Sequence, residues 1–159
     1  MIVVADSSPL IVLVNIGHTE VLPALFREVV IPPQIAAELA DAKRPQVVQE
    51  FIREKPAWLR IQAPVSMEPI PELHEGESAA ISLARELRAD LLLIDERDGR
   101  SAALARDLQI TGTIGILQRA AEQDLLDLAE AFARIKQTDF WISPNLLDAE
   151  LERYRERKH

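Results

Sequence analysis

Residues 2–10 read IVVADSSPL, and residues 91–97 read LLLIDER. Each stretch is a short apolar run that ends at an acid, Asp6 in one case and Asp95 in the other, and residues that favour a helix start follow at once. A continuous apolar run of this length is typical of a strand that is buried on both faces. The two stretches therefore predict two buried strands, each with a carboxylate at its carboxyl end.

Three further runs are strand-like, and helical periodicity fills the sequence between the runs. They cover residues 29–31, 59–62 and 109–113. Alternation of strands and helices favours parallel pairing, because parallel strands need crossover connections. We expect a three-layer α/β/α sandwich around a central, mostly parallel sheet of about five strands. We expect a single domain over residues 1–159, with a mostly helical part from about residue 124 onward.

The composition limits the chemistry that the protein can use. There is no cysteine, and the three histidines, His18, His74 and His159, are scattered along the chain. A thiolate site and a histidine-based triad are therefore disfavoured, and a bound metal would take oxygen ligands. No apolar run approaches the roughly 20 residues of a membrane span, and no basic leader precedes the first strand, so we expect a cytoplasmic protein without a membrane partner.

The net charge of −8, from 18 basic and 26 acidic residues, argues against a broad basic surface that grips nucleic acid. It does not exclude a nucleic-acid substrate, since acids that hold divalent cations count as negative. Several arginines share the stretch around the second acidic strand end: Arg85, Arg88, Arg97, Arg100 and Arg106. Any one of them could also belong to a solvated helix face.

Two glutamates extend the acidic pattern. Glu38 lies in a helix that begins after Pro32-Pro33, and Glu77 lies in the first turn of the helix that precedes the Asp95 strand. Ligands of open parallel sheets bind at the carboxyl ends of the strands, where these helices could bring both side chains. Clustered carboxylates raise one another's pKa unless a cation lies among them, so the set favours Mg²⁺ or Mn²⁺ and metal-assisted hydrolysis of a phosphodiester.

Each carboxylate also has a plainer interpretation. Asp6 and Asp95 could act only as helix caps, and Glu38 and Glu77 could be ordinary exposed helical acids. Other α/β enzymes and binding modules fit the acids less well. A haloacid-dehalogenase-type phosphatase needs a second Asp where Ser8 stands, and a response-regulator receiver needs an acid pair at the first strand end and a late Lys, neither of which is present.

Four short motifs together resemble the PIN domain, the metal-dependent ribonuclease fold of VapC-type toxins. They are VADSSPLI at 4–11, IPPQIAAEL at 31–39, GESAAISLA at 76–84 and LLIDERD at 92–98. Their order, spacing and strand or helix contexts carry the resemblance, which covers nearly the whole chain. Glu77 stands where many relatives have Asp, so the ligand arm is longer but the charge is kept.

The resemblance implies a metal-dependent endoribonuclease that cleaves single-stranded RNA. Its catalytic set would be Asp6, Glu38, Glu77 and Asp95. Asp6, Glu77 and Asp95 would bind Mg²⁺ or Mn²⁺, with Asp98 as an auxiliary acid.

Substrate contacts are expected from four further side chains: Ser7, Thr111, Arg97 and Arg100. Ser8 and Thr113 are expected to serve as helix caps or turn residues instead.

The same resemblance implies partners: an antitoxin protein and a second copy of the chain in a homodimer. The alternative is a PIN-like scaffold that acts through protein binding, with weak or no nuclease activity. Apolar residues of the C-terminal part, Phe140-Trp141-Ile142 and Leu146-Leu147, could form such a protein surface or belong to the core.

Overall fold

A computed structural model describes residues 1–158, and within that range five strands form one sheet in which every pairing is parallel. The strands are β1 (Val3–Ala5), β2 (Val29–Ile31), β3 (Leu59–Ile61), β4 (Leu91–Leu93) and β5 (Ile110–Thr111). Their order across the sheet is β3-β2-β1-β4-β5. The predicted α/β/α sandwich is confirmed, and the sheet is parallel throughout.

Helices connect the strands and cover the sheet. They are α1 (Ser7–Ile16), α2 (Val21–Phe26), α3 (Pro33–Ala40), α4 (Gln46–Arg53), α5 (Glu75–Glu86), α6 (Arg97–Ala105), α7 (Thr113–Glu122), α8 (Leu128–Ile135) and α9 (Pro144–Lys158). The C-terminal part is helical, as the sequence predicts. None of these helices is both long and apolar enough to cross a bilayer.

The apolar core lies on both faces of the sheet, because successive strand residues point in opposite directions. Val3 and Ala5 pack into the cluster formed with α1, α3, α7 and α8, whereas Val4 packs into the cluster formed with α5 and α6. All three side chains are fully buried. The unbroken apolar run that predicted β1 is therefore explained by helices on each face.

The first helix begins earlier than the sequence predicts. The pattern Ser8-Pro9 predicts Ser8 as the N-cap and Pro9 as the first helical residue, but α1 begins at Ser7 and Asp6 occupies the N-cap position. Its C-terminus agrees with the prediction: Gly17 has a left-handed backbone with φ of 75°, and the Gly17 and His18 amides donate to carbonyls of the last turn.

The chain changes direction across the sheet between β1 and β4. It runs from β1 outward through β2 to β3, then returns to place β4 against the free side of β1. A crevice at the carboxyl ends of β1 and β4 is the expected ligand position for this topology. Asp6 and Asp95 follow these two strands, so the fold brings their backbones to one edge of the sheet.

Candidate active site

Asp6 is the most deeply buried acid of the site. It sits at the N-cap position of α1 with 3% of its surface exposed, yet its side chain makes no capping hydrogen bond and its Oδ1 atom has no partner. Burial raises its pKa from 3.8 to about 7; the Ser7 amide opposes the rise, and the charges of Glu38, Asp95 and Glu96 add to it. The cap interpretation therefore fails to account for Asp6.

Glu77 is the second buried acid. It lies in the first turn of α5, is 7% exposed, and its Oε2 atom has no hydrogen-bond partner. Burial raises the pKa of Glu77 from 4.5 to about 7, with further upward contributions from a hydrogen bond with the Glu96 carboxyl and from the charge of Asp6. A residue that merely complemented its own helix dipole would lie in solvent, so the plainer interpretation of Glu77 also fails.

Asp95 is held quite differently, by a set of hydrogen bonds. Its Oδ1 accepts from the Thr113 amide at 2.7 Å, and its Oδ2 accepts from the hydroxyls of Thr113 at 2.7 Å and Ser8 at 3.0 Å. Ser8, at the start of α1, and Thr113, at the start of α7, thus hold the Asp95 carboxylate in one orientation. Ser8 and Thr113 are not simple caps, and on this point the prediction from sequence is wrong.

Two glycines make room for the glutamates. A Cβ atom at Gly76 would lie 2.0 Å from Oε1 of Glu38, and a Cβ atom at Gly99 would lie 2.8 Å from Oε2 of Glu77. Any larger residue would displace these carboxylates. Glu38, which is half-buried on α3, therefore lies against the start of α5, and its charge acts on Asp6.

Glu96 is an acid of this site that the sequence reasoning missed. Its carboxylate caps α6 by accepting from the Gly99 amide at 2.8 Å. Desolvation acts to raise the pKa of Glu96, but the hydrogen bonds from the Gly99 amide and from Glu77 prevail and lower it. The Asp95-Glu96 pair in the sequence is a signal that could have identified it.

Asp98, the predicted auxiliary acid, is exposed in the first turn of α6. Its side chain makes no hydrogen bond or ion pair with another residue of the described range 1–158, and Asp98 is not among the charges that shift the pKa of Asp6 or Glu77. Glu96 is instead the acid of this loop that acts on Glu77.

The predicted substrate-binding residues are only partly brought together. Ser7 is buried beside Asp6, and Thr111 ends β5 on the other side of Asp95. Arg100 is half-buried and donates to the Ile94 carbonyl at 3.0 Å, whereas Arg97 is exposed. The structure thus places Arg100 at the acidic centre and leaves Arg97 on the surface.

Two of the neighbouring arginines form ion pairs away from the acidic centre. Arg85 and Arg106 both form ion pairs with Glu68, at 2.5 and 3.0 Å, in the segment between β3 and α5. Burial opposes the shift, but the hydrogen bond from Arg106 and its charge lower the pKa of Glu68. These two side chains hold that segment against α5 and α6, so they are not available to a substrate.

Two grooves lie on either side of the Ser8–Asp95 hydrogen bond. The first, which we name the basic groove, has a volume of about 650 Å³ and is lined by Ser7, Ser8, Asn15, Lys43, Arg44 and Phe140, among others. The second, the aromatic groove, has a volume of about 460 Å³ and includes Asp95, Arg100, Thr111, Phe140 and Trp141. Phe140 lines both, and the Ser8–Asp95 hydrogen bond joins them.

The acidic residues suit a hard divalent cation, although they do not form a finished cage. No three acidic or histidine side chains within residues 1–158 converge closely enough to hold an ion as they stand. Asp6 Oδ1 and Glu77 Oε2 are nevertheless buried oxygens without partners, and buried carboxylates are stable only when protonated or paired with positive charge. Carboxylate and water ligands are what Mg²⁺ and Mn²⁺ prefer.

The fold and site define a class of protein: an all-parallel α/β/α sandwich with an acidic pocket at the carboxyl edge of its sheet. A protein-family model described as the PIN domain matches residues 2–156. The chain belongs to the PIN domain family, whose fold is of nuclease type. Comparison with curated proteins found no match.

Proposed function

We propose that the protein is a metal-dependent endoribonuclease that hydrolyses phosphodiester bonds of single-stranded RNA. The observation that carries the proposal is the pair of buried carboxylates, Asp6 and Glu77, each with an unpartnered oxygen and a pKa raised to about 7. A metal-free centre of this kind destabilises the fold at neutral pH, because burial disfavours ionised carboxylates. Such a cost is expected where the acids have a function.

The acids of the centre would have different roles. Asp6 and Glu77 would hold Mg²⁺ or Mn²⁺ with their free oxygens, and Asp95 would complete the ligand set in the orientation that Ser8 and Thr113 impose. Glu38 would add negative charge at the rim. The bound ion would supply a more acidic attacking water and neutralise charge on the phosphate. Arg100, anchored to the Ile94 carbonyl, would orient a phosphate oxygen.

The test is cleavage of labelled single-stranded RNA with Mg²⁺, Mn²⁺ or EDTA by the wild type and by the variants Asp6→Asn and Asp95→Asn. We expect cleavage only by the wild type and only with metal. Asp124→Asn is the matched control, since Asp124 is exposed, lies between α7 and α8, and has a φ of 60° that Asn tolerates. Equal cleavage by all variants, or none from the wild type with either metal, would refute the proposal.

The biological part of the proposal is a cytoplasmic VapC-type toxin that forms a homodimer and is inhibited by an antitoxin protein. It is supported by the motif resemblance and by the family assignment. Light scattering of the purified protein tests the dimer, and co-expression with the product of an adjacent small open reading frame tests the partner. If the protein binds that partner but never cleaves RNA, it acts as a binding scaffold instead.

A further inference from the structure

We propose that Trp141 and the Lys43–Arg44 pair form two subsites for single-stranded RNA on the grooves that meet at Asp95. Trp141 would stack on a base, and the Lys43–Arg44 pair would bind phosphate. The inference rests on the nuclease function proposed above, and it names residues of the chain that would recognise the substrate of that reaction.

Trp141 is exposed in a way that packing does not explain. Its surface is 83% exposed in the segment between α8 and α9, although large aromatic side chains contribute most when buried. It lines the aromatic groove together with Asp95 and Arg100. An indole beside an arginine and the acidic centre suits a nucleobase, because every base has a flat face that can stack on an aromatic ring whatever the sequence.

Lys43 and Arg44 bring positive charge to the other groove of an acidic protein. Within residues 1–158 neither has an acidic side chain within 4.0 Å, whereas Arg85, Arg106 and Lys136 are ion-paired. Cations without acidic partners on a chain of net charge −8 are complementary to phosphate. Asp139 also lines the basic groove, so its charged lining residues are two cations and one acid, and the groove keeps a net positive charge that the acidic centre lacks.

The two arginines of the grooves are anchored in the same manner. Nε of Arg44 donates to the Glu38 carbonyl at 3.2 Å, and a terminal nitrogen of Arg100 donates to the Ile94 carbonyl at 3.0 Å. In each case one nitrogen binds a backbone carbonyl at or next to a site acid, and the side chain lines its groove. A guanidinium fixed in this way loses less entropy when it binds a phosphate.

The grooves are arranged so that one strand can pass through both. Ser8 lines the basic groove, Asp95 lines the aromatic groove, and the hydrogen bond of 3.0 Å between them places the Asp95 carboxylate at the junction. A chain that lies in both grooves would carry one phosphate at that junction. The arrangement favours an internal bond of a strand over a terminal one, as an endonuclease requires.

The test separates binding from cleavage. The protein carries two substitutions: Trp58→Phe leaves Trp141 as the sole tryptophan, and Asp6→Asn removes cleavage. This variant is titrated in Mg²⁺ with a mixed-sequence single-stranded RNA of about 8 nucleotides. We expect quenching of Trp141 fluorescence. In the Asp6→Asn background, Trp141→Ala should lower the affinity for the RNA about tenfold, whereas Trp141→Phe should retain most of the affinity. Val65→Ala, at an exposed apolar residue between β3 and α5, is the control.

The salt dependence of binding distinguishes the two subsites. Replacing both Lys43 and Arg44 by alanine should lower the slope of log affinity against log salt by about 1 to 2, whereas Trp141→Ala should leave the slope unchanged. Replacing both Arg155 and Arg157, which are exposed on α9, by alanine is the charge-matched control. A slope that does not change in the double variant overturns the phosphate subsite.

Any of three results with the Trp141 variants would overturn the stacking subsite: unchanged affinity of Trp141→Ala, equal losses in Trp141→Ala and Trp141→Phe, or dissociation of a dimer by Trp141→Ala at the assay concentration. Cleavage by the wild type is measured in parallel. RNA binding with quenching but no cleavage leaves the subsites standing and refutes the reaction. Cleavage without quenching refutes the stacking subsite alone.

Discussion

The acidic centre has two parts that are stabilised in opposite ways. Asp6 and Glu77 are buried, and each has an oxygen without a partner and a pKa near 7. Asp95 is half-buried and accepts hydrogen bonds from Ser8 and Thr113 on both of its oxygens. The buried part thus lacks positive charge, whereas the position of Asp95 is fixed by neutral donors.

The difference shows what each part requires. Buried carboxylates with an unpartnered oxygen are poised either to bind a proton or to bind a cation, and the choice depends on pH and on metal concentration. A carboxylate that accepts several hydrogen bonds keeps one orientation in both cases. We infer that metal binding acts mainly on Asp6 and Glu77, and that Asp95 provides the fixed point of the site.

The largest expected effect is a loss of stability with rising pH in the metal-free protein. The pKa of Asp6 is about 7 in the folded state and 3.8 for an unperturbed Asp, so the folded state binds the proton more tightly. Stability is therefore full below about pH 4 and falls as pH rises toward 7, by about 4 kcal/mol for a shift of this size. The measurement is the difference in unfolding free energy between the wild type and Asp6→Asn, from pH 4 to 8 in EDTA.

A matched control and a metal arm sharpen this prediction. Asp124→Asn should keep the pH dependence of the wild type, because Asp124 is exposed. Mg²⁺ should raise the melting temperature of the wild type at pH 8 more than at pH 5, where protons compete for the same oxygens. A difference between wild type and Asp6→Asn that stays constant from pH 4 to 8 would show that Asp6 ionises normally.

The next largest effect concerns the other buried acid. Glu77→Gln should reduce the cleavage rate about a hundredfold, because the amide lacks the charge that a divalent cation requires. Glu77→Asp should retain much more activity, since it keeps the charge on a shorter arm. The rates are measured under single turnover with saturating Mg²⁺. Equal rates for the Asp and Gln variants would mean that geometry, and not charge, governs this position.

Removing a donor tests the hydrogen-bonded part of the centre. Thr113→Val deletes the hydroxyl that binds Asp95 at 2.7 Å but leaves the backbone amide bond in place. We expect about a tenfold loss of cleavage and a loss of about 1 to 2 kcal/mol of stability, the cost of one hydrogen bond to a half-buried charged group. Thr113→Ser should retain near-normal values. If Val and Ser behave alike in both assays, the hydroxyl does not orient Asp95.

The sequence predicted the strand-end acids but not the donors that hold Asp95, for a physical reason. Asp6 and Asp95 could be located from the apolar runs that precede them, because strand ends are local features. The donors to Asp95 could not, since Ser8 and Thr113 reach it only because β4 lies between β1 and β5. Glu96 was missed for a similar reason: its neighbour Glu77 belongs to another helix.

The smallest expected effect is at the rim. Glu38 is half-buried. Its charge raises the pKa of Asp6, but this effect is smaller than that of burial and smaller than the opposing effect of the Ser7 amide. Glu38→Gln should therefore reduce cleavage only about threefold and lower the apparent pKa of Asp6 in the metal-free protein. Gly76→Ala should act in the same direction, because a Cβ atom 2.0 Å from Glu38 Oε1 pushes the carboxylate out of the centre. Glu152→Gln, exposed on α9, should change neither quantity. A loss in Glu38→Gln as large as in Glu77→Gln would place Glu38 among the metal ligands and erase the distinction between rim and centre.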